Sequence, residues 1–188
     1  EAVAKLLVIR SLTDMVRDAK IKGTEYAESM LGYIEFTTSN SLMFEAVADN
    51  INQALTVWSP GKATGEISDK VFDKLVEIAR KEEKPDILKL LKAKFILFAR
   101  SYRSAKLLKD LFEQADEGLK KLELTFEDQW TILFKLHWFK EFSEKQKCIL
   151  QTYLSQADKT DTKKYWEQTL NGFRANDEEA QKLWDELS

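Results

Sequence analysis

Histidine and cysteine occur once each in this chain of 188 residues, proline twice and glycine six times. A lone cysteine, Cys148, excludes an internal disulfide, and with no Asn-x-Ser/Thr sequence present a reducing, cytoplasmic setting is favoured. A lone histidine, His137, leaves no HExxH motif, so a zinc site would have to draw its remaining ligands from carboxylates and the one thiol. It also leaves any serine or cysteine nucleophile with a single candidate base. Unbroken apolar runs such as Phe95 to Ala99 fall far short of the roughly 20 residues that cross a bilayer. Charge of one sign is lacking too: 29 basic against 32 acidic residues, interspersed throughout, give a net charge of −3. Such a balance advertises no polyanion-binding surface. Neither nucleic acid nor membrane is therefore expected as a partner.

What is abundant is the material of amphipathic helices, 44% hydrophobic and 32% charged residues. Apolar residues recur at three- and four-residue intervals almost everywhere, and strand-like alternation is hard to find. The reading is all-α, in about ten helical segments near 2–20, 24–36, 40–58, 66–83, 86–100, 102–117, 125–140, 143–157, 160–173 and 177–187. Thr24, Ser68, Thr125 and Ser143 stand where a side-chain oxygen would cap a first turn, Ser143 with Gln146 forming a capping box. Pro85 fits a first helical position, where its missing N–H costs little. "SPGKATGE", Ser59 to Glu66, reads as the longest loop. Short connections make consecutive helices antiparallel neighbours, which pair into hairpins and stack as an irregular armadillo/HEAT-like α-solenoid or bowl. No sequence period of the TPR or ankyrin kind appears. Residues 1–188 read as one helical domain. Its opening "EAVAKLLVIRSLTDMVRD" is helical from the start, without an initiator methionine, which reads as a cut inside a longer polypeptide.

Five stretches invite a functional reading. His137 lies within "LTFEDQWTILFKLHWF", one turn beyond Leu133 and Phe134, so it reads as packed on an apolar stripe or paired with Glu141. Cys148, beside Ile149 and Leu150, reads as a buried small hydrophobe. "SPGKATG" holds Gly-Lys without the GxxxxGK[ST] spacing of a phosphate loop. "KLLKAKFILFARSYRSAKLLKDLF", Lys89 to Phe112, interleaves basic and aromatic residues as single-strand binders do. The plainer reading puts Lys92, Lys94, Lys106 and Lys109 on solvated faces, with Phe95, Phe98, Leu107, Leu111 and Phe112 inward. In "RSLTDMVRDAK", Arg10, Asp14, Arg17 and Asp18 stand at helical neighbour spacings, which suits partly buried arginine–aspartate bonds between helices. The functional alternative is an arginine that receives a peptide carboxylate.

At "IRSLTDMVRDAK" the chain resembles the C-terminal helical domain of the M1 zinc aminopeptidases, which carries a similar Arg-x-Leu-x-x-Met-Val-Arg-Asp-x-Lys run. "EYAESMLGYIEFTTSNSLMFEAVADNINQALTVWSP", "LTFEDQWTILFKL" and "LSQADKTDTKKYWEQTLNGFRANDEEAQKLW" are similar to further family segments in the same order, over roughly residues 6 to 187. Gln129 stands where the family commonly has an arginine before the tryptophan, and Gln181 replaces a frequent lysine. The resemblance implies an armadillo/HEAT-like bowl that covers the active site of an upstream catalytic domain. Zinc and the exopeptidase motif would belong to that domain, and no cofactor to this chain. It further implies peptide as the substrate, with Arg10, Arg17, Arg100 and Arg103 as candidate contacts and no catalytic or metal-binding residue here. A free-standing helical scaffold that binds a protein partner has the same sequence features.

Overall fold

Turns of helix joined by a few residues account for nearly everything in the computed structural model, which describes residues 2–59, 61–136, 139, 142, 148–149, 151–152, 155, 163–164 and 167. Among the described residues seven α-helices can be bounded: α1 (Ala2–Arg17), α2 (Gly23–Thr37), α3 (Ser41–Val57), α4 (Gly61–Lys81), α5 (Pro85–Phe98), α6 (Tyr102–Phe112) and α7 (Phe126–Leu136). A short 3-10 turn, Glu117–Leu119, lies between the last two. No strand occurs among the described residues, so the fold is all-α. The three segments expected over 143–157, 160–173 and 177–187 fall mostly or wholly outside the described residues, as does the Ser143–Gln146 box. The chain forms two compact units, one of Glu1–Ser104 with Asp116–Leu122, the other of Ala105–Ala115 with Glu123–Ser188.

The first unit is built from helical hairpins. Helix α2 pairs with α3, and α4 with α5. Gly23, at the start of α2, lies against Ala54 near the end of α3, as an antiparallel pair requires. Between α4 and α5, Phe72 meets Phe95 edge to face at 5.9 Å, both rings fully buried. The hairpins then stack like on like. Lys70 and Lys74 of α4 bind Glu28 and Glu35 of α2 at 2.9 and 2.6 Å. Lys94 binds Asp49 of α3 at 2.6 Å, and Arg100, just past α5, binds Asn52 at 2.5 Å. Residue numbers rise together in both sets, so α2 runs parallel to α4 and α3 parallel to α5. The first helix packs on α3 and α2. There the Thr13 hydroxyl gives its proton to Ile9 O at 2.9 Å, and so accepts from the buried Tyr26 hydroxyl at 3.1 Å.

Helix ends obey local chemistry, though not always where the sequence pointed. Pro85 is the first residue of α5, as expected. Thr125 caps α7: its Oγ1 accepts from Asp128 N at 3.2 Å, while Asp128 Oδ2 accepts from Thr125 N at 2.9 Å. Asn40, not assigned a capping role from sequence, caps α3 by accepting from Met43 N at 3.1 Å. Thr24 does not cap α2, since the extended N-cap residue is Lys22. Ser68 does not cap α4 either. The expected "SPGKATGE" loop is mostly helix, because α4 begins at Gly61 and leaves Ser68 buried in its interior with an unsatisfied hydroxyl. Helices α1 and α6 close with residues in left-handed backbone. Ala19 has φ 56°, with Lys20 N donating to Met15 O at 2.8 Å and Ala19 N to Val16 O at 2.9 Å. Gln114, φ 55°, repeats the pattern through Ala115 N to Asp110 O and Gln114 N to Leu111 O. Both are Schellman closures at positions where glycine is the usual residue.

In the second unit, α6 buries Ala105, Leu108 and Leu111, while α7 buries Ile132, Leu133 and Leu136. Trp130 and Phe134 stack one turn apart at 6.0 Å on α7. His137 and Glu141 lie outside the described residues. Cys148 is exposed, contrary to the expectation of a buried thiol. Sequence adjacency to Ile149 misled, because neighbouring residues on a helix point about 100° apart.

Candidate functional site

Helix α1 is apolar nearly all round in its first half, through Leu6, Leu7, Val8, Ile9 and Leu12. Such a helix is normally enclosed. Here only Ile9 is buried, while Leu7 and Val8 are more than half exposed. Across from them, α2 turns outward a stripe of Ser29, Tyr33 and Phe36, free of charge, with Phe36 80% exposed. Between the two helices and the start of α3 lies a groove of about 950 Å³, floored by Ile9, Met30 and Met43 and walled by Val8, Leu12, Tyr33 and Phe36. Lys5 is the one charged residue in its lining. In a chain with 32% charged residues, a concavity of this size with a single charged residue in its lining stands apart from the rest of the surface. The sequence signal was the Leu-Leu-Val-Ile run, too broad for one helical stripe.

The four nominated arginines fall into two places. Arg10 and Arg17 are exposed on α1. Arg17 pairs with Asp14 at 3.2 Å and reaches Asp18 at 3.8 Å, within its own helix or just past its end. The expected buried bonds between helices are therefore not made by Arg17, because its side chain turns to solvent and meets the neighbour one turn back. Arg100 and Arg103 flank Ser101 at the α5–α6 connection. Arg103 grips both oxygens of Asp73 on α4, at 2.7 and 2.8 Å, which raises its pKa. Arg100 is half-buried, with the neutral Asn52 as its hydrogen-bond partner, and burial lowers its pKa. Ser101 ties this connection to α4 by donating to Asp69 at 2.7 Å.

No family model, curated protein or solved structure matches the chain.

The basic and aromatic stretch is mostly structural. Phe95 and Phe98 are fully buried, Leu111 is buried, and Leu107 and Phe112 are half-buried. Two of its lysines contradict the expectation of solvated faces. Lys92 and Lys94 are both buried, Lys94 because Asp49 and Glu45 of α3 hold its ammonium at 2.6 and 3.7 Å. Carboxylates 45 and 49 residues back in sequence make that burial tolerable, and nothing local announces them. Among the described residues no group of three or more His, Cys, Asp or Glu side chains is placed to hold a metal. No described helix is long and apolar enough to cross a membrane.

Proposed function

We propose that this chain is the non-catalytic, all-helical C-terminal domain of an M1-type zinc aminopeptidase, covering the active site of an upstream catalytic domain and shaping its peptide cavity. The observation that carries the reading beyond the collinear resemblance is the exposed, nearly uncharged groove formed by α1, α2 and the start of α3. A face of that kind suits permanent cover by another part of the same polypeptide. Stacking of hairpins like on like, in parallel, supports an armadillo/HEAT-like arrangement, the rigid wall that a lid needs. A lid contributes water exclusion and substrate orientation rather than reacting groups. In this reading zinc and the general base belong upstream, the setting is cytoplasmic, and the substrates are peptides. Arg10, Arg17, Arg100 and Arg103 are the candidate peptide contacts, with Arg100 favoured because it is half-buried, unlike the exposed Arg10, and has no carboxylate partner among the described residues.

The same groove also fits a free-standing helical scaffold that takes an apolar segment of a partner protein. Reconstitution separates the two. The chain alone, with and without zinc, should hydrolyse no aminoacyl fluorogenic substrate. The upstream polypeptide expressed separately should hydrolyse them, with a selectivity for peptide length that changes when this chain is added. An upstream polypeptide indifferent to the chain refutes the lid reading, and cleavage by the chain alone would return His137 to consideration as a catalytic residue.

A further inference from the structure

Where α3 and α5 run side by side, α3 presents Glu45, Asp49 and Asn52 on one face, at i, i+4 and i+7. Lys94 takes both carboxylates. Arg100 meets the third position, where the pattern of acids ends in an amide, and donates from Nη2 to Asn52 Oδ1 at 2.5 Å. Ion pairing is therefore unevenly shared. Lys70, Lys74, Arg80, Lys94 and Arg103 each contact a carboxylate, but Arg100 has none among the described residues. A guanidinium has five N–H donors, of which the bond to Asn52 uses one. Asn52, with its oxygen occupied, still has an NH2 to donate. Half-burial makes each unused donor costlier to leave to water alone.

We infer that Arg100 and Asn52 form a receiving site for a carboxylate supplied from outside the fold, held by the guanidinium fork with the Asn52 amide beside it. The planar fork matches a carboxylate bidentately. Asp49 and Glu45, one and two turns away on α3, disfavour a multiply charged ligand such as a phosphate. The site stands on its own geometry and does not depend on the aminopeptidase reading. Its ligand is the end of a peptide chain or the side chain of an aspartate or glutamate.

The test uses the full chain labelled with 15N and follows by NMR the backbone amide of Ser101, which adjoins the site and is present in every variant, together with the Arg100 side-chain Nε–H in the chains that keep that arginine. Three probes are titrated: an acetylated tetra-alanine peptide with a free carboxyl end, the same peptide amidated, and an amidated peptide containing one glutamate. A saturable shift with the first, the third or both, and none with the second, supports the site and identifies its ligand. Asn52→Asp places a carboxylate inside the fold, and should raise Tm while weakening the response about tenfold or more, the loss of roughly 1.4 kcal/mol or more of binding. Arg100→Gln should abolish the response. If Arg100 serves only to cap the end of α5, Arg100→Gln lowers Tm and the wild-type chain ignores all three probes, which overturns the proposal. A response retained in Arg100→Gln overturns it equally.

Discussion

The same substitution made twice on α2 should have opposite effects. A Cβ built on Gly23 would lie 2.5 Å from the Ala54 carbonyl oxygen and closer still to Ser59 Oγ, which itself donates to that carbonyl at 2.9 Å. Backbone cannot yield as a side-chain tip does, so Gly23→Ala must push the start of α2 off the end of α3. Overpacking of this kind costs about 1–3 kcal/mol. Against it stands the smaller unfolded-state entropy of alanine, worth about 0.4–1 kcal/mol, leaving Gly23→Ala destabilised by about 1–2 kcal/mol. At Gly32, in the middle of the helix, the added Cβ meets nothing within 4 Å. Gly32→Ala should therefore gain the helix-propensity difference, about 0.8–1 kcal/mol. Urea unfolding followed by far-UV circular dichroism should separate the two midpoints by about 1 M, given slopes of about 1–3 kcal/mol/M. Adding Ser59→Ala to Gly23→Ala should recover only part of the loss, because the Ala54 carbonyl remains. If both glycine replacements shift the midpoint in one direction by similar amounts, α2 and α3 do not meet as described.

Ala19→Gly and Gln114→Gly should each stabilise the chain by a few tenths to about 1 kcal/mol, because left-handed backbone costs a residue with a Cβ about 1–2 kcal/mol and glycine's larger unfolded-state entropy offsets part of the relief. Thermal unfolding of the two single variants and the double variant checks this. Phe36→Ser should leave stability within about 0.5 kcal/mol, since the ring is largely in solvent, while reducing binding of a fluorescent apolar dye to the groove. Unchanged dye binding would remove the groove from the functional argument. The Glu82 carboxylate accepts from the Lys84 and Glu83 amides, and these bonds, Lys84's first, lower its pKa. A lowered folded pKa gives stability that is present above the unfolded value and lost as pH falls through the folded one. Glu82→Gln should therefore be relatively less stable at neutral pH and converge with the parent on acidification.

Periodicity made the helical class legible, and local chemistry the start of α5 at Pro85 and the cap at Thr125. Several of the remaining differences have their source in contacts distant in sequence. Gly61 and Gly65 read as a loop, yet one glycine costs a helix only about 1 kcal/mol, and α4 buries Ile67, Val71, Phe72, Leu75 and Ala79. Buried Lys94 depends on Asp49, and half-buried Arg100 on Asn52, so neither environment could be read from the basic stretch itself. The groove is legible only in part: the surplus of apolar residues in α1 shows in the sequence, but its meeting with Tyr33 and Phe36 does not.

The bonds that tie one hairpin to the next have a consequence for how the protein is made. Lys70 reaches back 42 residues to Glu28, Lys94 reaches 45 to Asp49, and Arg100 reaches 48 to Asn52. Each tie thus joins a helix to one in the hairpin synthesised just before it. At about 5–20 residues per second, the later partner is added some 2–10 s after the earlier one. This first unit can therefore assemble in step with synthesis, each new hairpin templated by the last once it has left the ribosome.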